Sequence, residues 1–316
     1  MKTILVIGAT GGIGGETARA MARRGWRVRA LARHIPEARE GFDWIVGDAL
    51  DRAAVIQAAQ GADAILHAVN PPGYRDWDTL VLPTIDNSIA AAQSVDARLM
   101  LPGTLYNYDP RAMALVAPDA PQLPATRKGA IRVQLEQRIA DACDRGMRAL
   151  IVRFGDFFGP RPGNAWLSQG MITPGKPVRN VINPGLAGVG HAWAYLPDAA
   201  ESFARLIERE ADLPQCARYH FDGYWDATGT DFAGIVRDIG GGRHVRAFPW
   251  WTLPLIAPFH PTMRELREMK LFWRHSLRLD NRTLVAMLGE EPRTPIDDAV
   301  RDTLIGLDCL PVEKRG

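Results

Sequence analysis

Cysteine is scarce in this sequence and neither sign of charge dominates. Only three cysteines occur in 316 residues: Cys143, Cys216 and Cys309. They are odd in number, far apart in the chain, and form no CxxC or Cys/His cluster. That argues against a disulfide framework or a zinc site and fits a reducing, cytoplasmic setting. Lys and Arg total 38 against 36 Asp and Glu, a formal charge of +2. No long basic run stands out, so nucleic acid is not an expected partner. Long apolar runs are missing as well. The most apolar stretch, FPWWTLPLIAPF over 248–259, is too short to span a bilayer and carries three prolines. The TILVIG run near the N-terminus ends in glycines after about six residues, short of a signal-peptide core. HExxH, a Walker lysine and a Ser/His/Asp order are all absent. What is left is a protein of small-molecule chemistry, with no metal and no membrane expected.

The first half of the chain alternates two textures. TILVIG (3–8), WRVRAL (26–31), FDWIVG (42–47), ADAILHAV (62–69), ARLMLPG (97–103) and RALIVRFG (148–155) read as strands with little internal alternation. Helical spacing fills the gaps at 12–24, 51–60, 78–95 and 127–145. In the first of these, Ile13, Thr17, Ala20 and Met21 share a face. Apolar strands separated by helices predict a parallel sheet covered on both sides, and right-handed crossovers make it doubly wound. The fold class expected is α/β, a Rossmann-type sheet with a smaller C-terminal substrate lobe. The nucleotide-binding domain is expected over 1–160, with 191–223 returning to it. The lobe takes most of 161–316, and 226–316 reads as mainly helical.

The strongest motif opens the chain. Gly8, Gly11 and Gly14 set a GxxGxxG spacing in GATGGIGG, after a strand and at the start of a helix. Glycines allow a tight turn and let backbone N–H groups approach a pyrophosphate, while the helix N-terminus adds partial positive charge. Gly8, Thr10, Gly11, Gly12, Ile13 and Gly14 are therefore the expected phosphate cradle of a dinucleotide. The second strand ends at Arg33, where an acidic residue would receive a ribose 2′-hydroxyl. A guanidinium there suits a 2′-phosphate, which selects NADP(H) over NAD(H). Asp48, after the third strand, is placed to accept from the adenine amino group or to serve as a turn residue. Ala68, Val69 and Asn70, at the end of the fourth strand, are expected to line the cofactor. His67 reads as a packed neutral histidine.

These motifs, with LMLPGTLYNY (99–108), RFGDFFGP (153–160) and AWAYLPDAAESFARL (192–206), resemble the extended short-chain dehydrogenase/reductases, the NAD-dependent epimerase/dehydratase group. The resemblance runs over nearly the whole chain. It implies hydride transfer in a cleft between sheet and lobe, on a small-molecule substrate, in a fold that often forms homodimers through its fifth-helix region. It also implies that Asp156, Phe157, His191 and Trp193 line the substrate pocket and that Asp198 caps a helix; Arg161, just beyond, either holds an anionic substrate or is a solvated charge.

The departure from the family is informative. Its chemistry uses a Ser/Thr with a Tyr and a Lys spaced as YxxxK, and no YxxxK occurs here. Aligning Glu136 with the family's glutamate puts Lys128 at the Tyr position and Arg132 at the Lys position. The Ser position falls on Pro102, with Thr104 two residues on. Three readings stay open. Lys128 donates the proton, as a lone lysine does in isoflavone-reductase-like relatives; Tyr106 or Tyr108 replaces it; or the chain senses NADPH without turnover, like NmrA-type members. A sugar-nucleotide epimerase or dehydratase is weaker, because those reactions lean on the missing tyrosine. The aromatic group Trp250, Trp251, Phe259, Phe272 and Trp273 is expected to fill the core of the lobe.

Overall fold

The computed structural model describes residues 1–38, 40–70, 77–253 and 267–311; Phe259 lies outside them. The first half runs β1 (Thr3–Ile7), α1 (Gly12–Arg23), β2 (Arg27–Ala32), β3 (Asp43–Val46), α2 (Arg52–Ala59), β4 (Ala64–His67), α3 (Trp77–Val95), β5 (Arg98–Thr104), β6 (Leu115–Val116), α4 (Arg127–Asp144) and β7 (Ala149–Phe154). The second half runs β8 (Asp156–Phe158), β9 (Asn180–Asn183), β10 (His191–Tyr195), α5 (Leu196–Glu208), β11 (Cys216–His220), β12 (Tyr224–Asp226), α6 (Asp231–Ile239), β13 (His244–Ala247), β14 (Arg278–Leu279), α7 (Arg282–Leu288) and α8 (Ile296–Gly306).

Seven strands form one sheet in the order β11-β7-β5-β4-β1-β2-β3. Every neighbouring pair in it is parallel. The chain winds outward from β1 to β3, then returns through β4 to the other side, so the winding reverses between β1 and β4. A crevice opens at such a point, beyond the carboxyl ends of the strands. All five residues of β1 are buried. Ile4 and Val6 enter one apolar core, which also holds residues of α1 and α5. Leu5 and Ile7 enter a second core with residues of α2, α3 and α4. A strand buried on both faces has no polar side to show, which is why the sequence reads as an unbroken apolar run.

The lobe has more strand than its sequence suggests. A three-stranded sheet orders β12-β10-β8, and two-stranded pairs join β13 to β9 and β14 to β6. These strands are two to five residues long. Segments that short, paired across long sequence separations, leave little periodicity to read. The return expected over 191–223 is accordingly divided. Strand β10 pairs with β8 and β12 rather than with the main sheet. Helix α5 packs on α1, and β11 adds the edge strand beside β7. The lobe core is aromatic: Trp193 stacks on Phe232 at 4.0 Å, and Trp166, Trp250 and Trp273 pack around them. Trp251 is instead exposed.

Candidate active site

The opening loop is built on contacts too close for any side chain. Gly8 has φ +100°, and a Cβ on it would lie 2.5 Å from the carbonyl oxygen of Ala68. A Cβ on Gly14 would lie 2.2 Å from the carbonyl oxygen of Gly8. The first requirement brings β1 against the end of β4; the second lets α1 start directly over the turn. Gly11 is the N-cap of α1, and the first turn of that helix carries no acidic residue. Free N–H groups at this terminus, undiluted by a carboxylate, suit an anion.

A cleft of about 1140 Å³ runs from this loop along the carboxyl edge of the sheet. Gly8, Thr10, Gly11, Gly12 and Ile13 line one stretch; Arg33 and Asp48 line the far end. Ala68, Val69 and Asn70 line the middle, and Thr104, Tyr106, Arg132, Asp156 and Phe157 line the inner end. The structure thus brings together residues spread over about half the chain. Gly14 lies behind the wall and acts through packing. Arg33 is exposed, and no ion pair engages it among the described residues. Asp48 has a local duty as well: its Oδ1 accepts the N–H of Leu50 at 3.0 Å, the turn role open to it from sequence.

Several expectations meet a different outcome. Lys128 is fully buried and does not line the cleft; its Nζ lies 6.0 Å from the centre of the Trp77 ring. Trp193 belongs to the aromatic lobe core rather than to the cleft wall, because β10 turns that face into the lobe. Arg161 is paired with the buried Glu16 at 2.9 Å. Asp198 does not cap α5; it sits inside the first turn and accepts from the backbone N–H and hydroxyl of Thr294. Tyr108 lies inside the fold as well, beside Arg153, and burial pushes its hydroxyl up to about 12. The nearby Arg153–Glu136 ion pair is buried, with contacts of 2.5–3.2 Å. Burial pushes the Glu136 carboxyl up, but Arg153, Gln122 and Asn107 outweigh it and hold it below its ordinary range.

At the inner end of the cleft, the Tyr106 hydroxyl donates to Asp156 Oδ1 at 3.0 Å. The other carboxylate oxygen meets His191 Nε2 at 2.8 Å. His191, expected to line the pocket, instead stands one layer behind the wall, because it stacks on Trp273 at 3.7 Å and 7°. Arg132 projects from α4 into the cleft, its guanidinium 4.8 Å from the centre of the Trp77 ring. His67 is buried, with Nδ1 2.8 Å from the Ser88 hydroxyl. Burial, helped by the Arg132 charge, pushes it down to about 3, so it stays neutral. Sequence reasoning missed Trp77 and the 162–166 loop as cleft walls. The dense Gly and Pro after residue 159 was the only hint of the loop, and Trp77 gave none.

Away from the cleft, Cys143 and Cys216 come together although they lie far apart along the chain. The neighbouring Cys143 and the charge of Arg218 draw the Cys216 thiol below its ordinary range. Among the described residues no cluster of three metal-ligating side chains occurs, and no helix is long and apolar enough to cross a membrane.

Residues 8–134 match the protein family described as NAD(P)H-binding. The chain carries an NAD(P)H-binding domain. The match covers the opening loop, strands β2 to β6 and the start of α4, where Lys128 and Arg132 stand. A curated relative, the 3-diazoavenalumate denitrifying reductase of a Streptomyces species, is 28% identical over 51% of this chain and 58% of its own length. The chain therefore spans little more than half of that relative. Solved structures extend the likeness to the full chain. UDP-glucose 4-epimerase from Bifidobacterium longum, in complex with NAD+ and UDP, superposes with a TM-score of 0.73 at 13% identity, covering 98% of both chains. The Bordetella bronchiseptica enzyme WbmH, in complex with NAD+, gives 0.68 at 20% identity over 97% of this chain and 98% of its own. These two structures share this chain's fold over its whole length, lobe included.

Proposed function

We propose that this protein is an NADPH-dependent oxidoreductase that reduces a small carbonyl-type substrate in the cleft between sheet and lobe. The observation that carries the reading is the continuity of that cleft. A phosphate cradle, an exposed guanidinium and a polar reaction end lie along one wall. The cradle fits the dinucleotide because backbone contacts that admit no Cβ at Gly8 or Gly14 set the first turn of α1, which carries no acidic residue, over the ends of β1 and β4. Bound NADPH supplies a hydride. The residues supply the rest. The opening amides hold the pyrophosphate, Arg33 faces the 2′-phosphate, and Arg132 presents a fixed cation at the position that the family resemblance gives to its lysine. Thr104 and Tyr106 meet the substrate oxygen, and Asp156 holds the Tyr106 hydroxyl. The name of the Streptomyces relative, a reductase, supports reduction over isomerisation. Scarcity of cysteine supports a cytoplasmic setting.

A second reading, a non-catalytic NADPH sensor, is favoured by the missing YxxxK and by the burial of Lys128. One experiment separates the two. NADPH absorbance is followed with a panel of aldehydes, ketones, enones and an aryl diazonium, alongside calorimetric NADPH binding. Turnover with any acceptor supports the reductase. Tight binding with no turnover on the panel supports the sensor.

A further inference from the structure

We infer that Tyr106 is the proton donor of this reduction, and that Asp156 and His191 form the relay that holds it and refills it. The inference rests on the reductase reading. Its starting point is that three side chains from three separate elements meet in one line. Tyr106 stands on the single turn after β5, where its N–H reaches the Thr104 hydroxyl at 3.3 Å. Its ring packs on Phe272 with centres 4.9 Å apart. Asp156 opens β8, and His191 opens β10, whose Trp193 is the register partner of Asp156. Tyr106 and Asp156 face the cleft; His191 is 5% exposed behind them. Each oxygen of the carboxylate thus has one ring partner, at 3.0 and 2.8 Å. Packing on Phe272 and Trp273 fixes both rings, so little order has to be created when a substrate arrives.

The chemistry balances. NADPH is oxidised to NADP+ as its C4 hydride forms a C–H bond to the carbonyl carbon, and the π pair of the carbonyl moves onto oxygen. The Tyr106 hydroxyl swings from Asp156 to that oxygen and gives up its proton, completing the alcohol. The phenolate takes a proton back from solvent along the hydrogen bonds that run through His191 and Asp156. Tyr106 touches the reacting atoms and is catalytic in this scheme; Asp156 and His191 are positioning residues. Lys128 has no part in it, since it lies off the cleft wall.

The test compares Tyr106→Phe, Asp156→Asn, His191→Gln and Lys128→Ala in the full chain. Tyr106→Phe should lower kcat by about 10²–10⁴-fold, the range general acid catalysis supplies, with the NADPH Kd unchanged. Asp156→Asn should lower kcat with KM little altered. It should also turn a curved solvent-deuterium proton inventory into a linear one, a change that a purely structural contact does not produce. A readout independent of turnover is the downfield imidazole N–H resonance of the cofactor-free protein. It should vanish in His191→Gln, vanish or move far upfield in Asp156→Asn, and shift in Tyr106→Phe. Lys128→Ala should keep its turnover. Tyr106→Phe turning over at the parental rate, or Lys128→Ala abolishing turnover while Tyr106→Phe retains it, overturns the relay and leaves the reductase reading standing. NADPH binding with no turnover on any acceptor overturns both.

Discussion

Replacing Arg33 by alanine tests the cofactor assignment at its most exposed point. Arg33 follows the last residue of β2, lies open to solvent on the cleft wall, and has no carboxylate paired with it among the described residues. Its charge is therefore available to a ligand. At a contact distance of about 4 Å, a unit charge pair is worth about 1 kcal/mol in water and about 4 kcal/mol at the effective dielectric of a protein surface. A 2′-phosphate carries more than one charge, but an exposed side chain gives part of that energy back to screening and to its own ordering. The balance is about 1.4–2.8 kcal/mol, a tenfold to hundredfold loss of NADPH affinity in Arg33→Ala. NADH lacks the phosphate, so its Kd should move by less than about threefold. Calorimetry with both dinucleotides, at low and at physiological ionic strength, reads the difference. Added salt should weaken NADPH binding to the parent more than to the variant. His34→Ala, next along the same wall, is the control for local disturbance. Equal losses for the two dinucleotides, or none for NADPH, would refute the reasoning.

Three further outcomes follow from the same geometry. Gly14→Ala should abolish dinucleotide binding in calorimetry, because its Cβ would sit 2.2 Å from the Gly8 carbonyl and force α1 off the turn; binding at the parental Kd would contradict this account of the loop. Arg153→Met should cost about 3–5 kcal/mol in urea unfolding, since it strands the buried Glu136 carboxylate, and pairing it with Glu136→Leu should recover much of the loss. Stability should also fall with acidity. His67 and His220 are pushed down to about 3, chiefly by burial and then by the charges of Arg132 and Arg153. The unfolded chain, with histidine near 6.5, takes up protons first as the pH drops. Their contribution is whole above about pH 6.5 and is lost as the pH falls towards 3, at about 2 kcal/mol for each between pH 7 and 5. A stability that stays level over that interval, after carboxylate effects are matched in His67→Asn and His220→Asn variants, would contradict the burial argument.

Local rules fixed much of this protein before any tertiary contact. The GxxGxxG turn, the unbroken apolar strands and the helical spacing between them specify a doubly wound parallel sheet. Strand-end position alone put Arg33, Asp48 and Ala68–Asn70 on one edge. A strand buried on both faces and a turn that admits no Cβ each leave a signature within a few neighbouring residues. The reaction end was different. Sequence alignment assigned Lys128 a place in the cleft, yet the packing of α4 buries it. Asp156 carried no sign of bridging Tyr106 and His191, and Cys143 and Cys216 read as unrelated. Those pairings join segments dozens of residues apart, the first set by how β5, β8 and β10 come to rest against one another, the second by how α4 packs beside β11. Their energy depends on distances and burial that arise only when sheet and lobe close together.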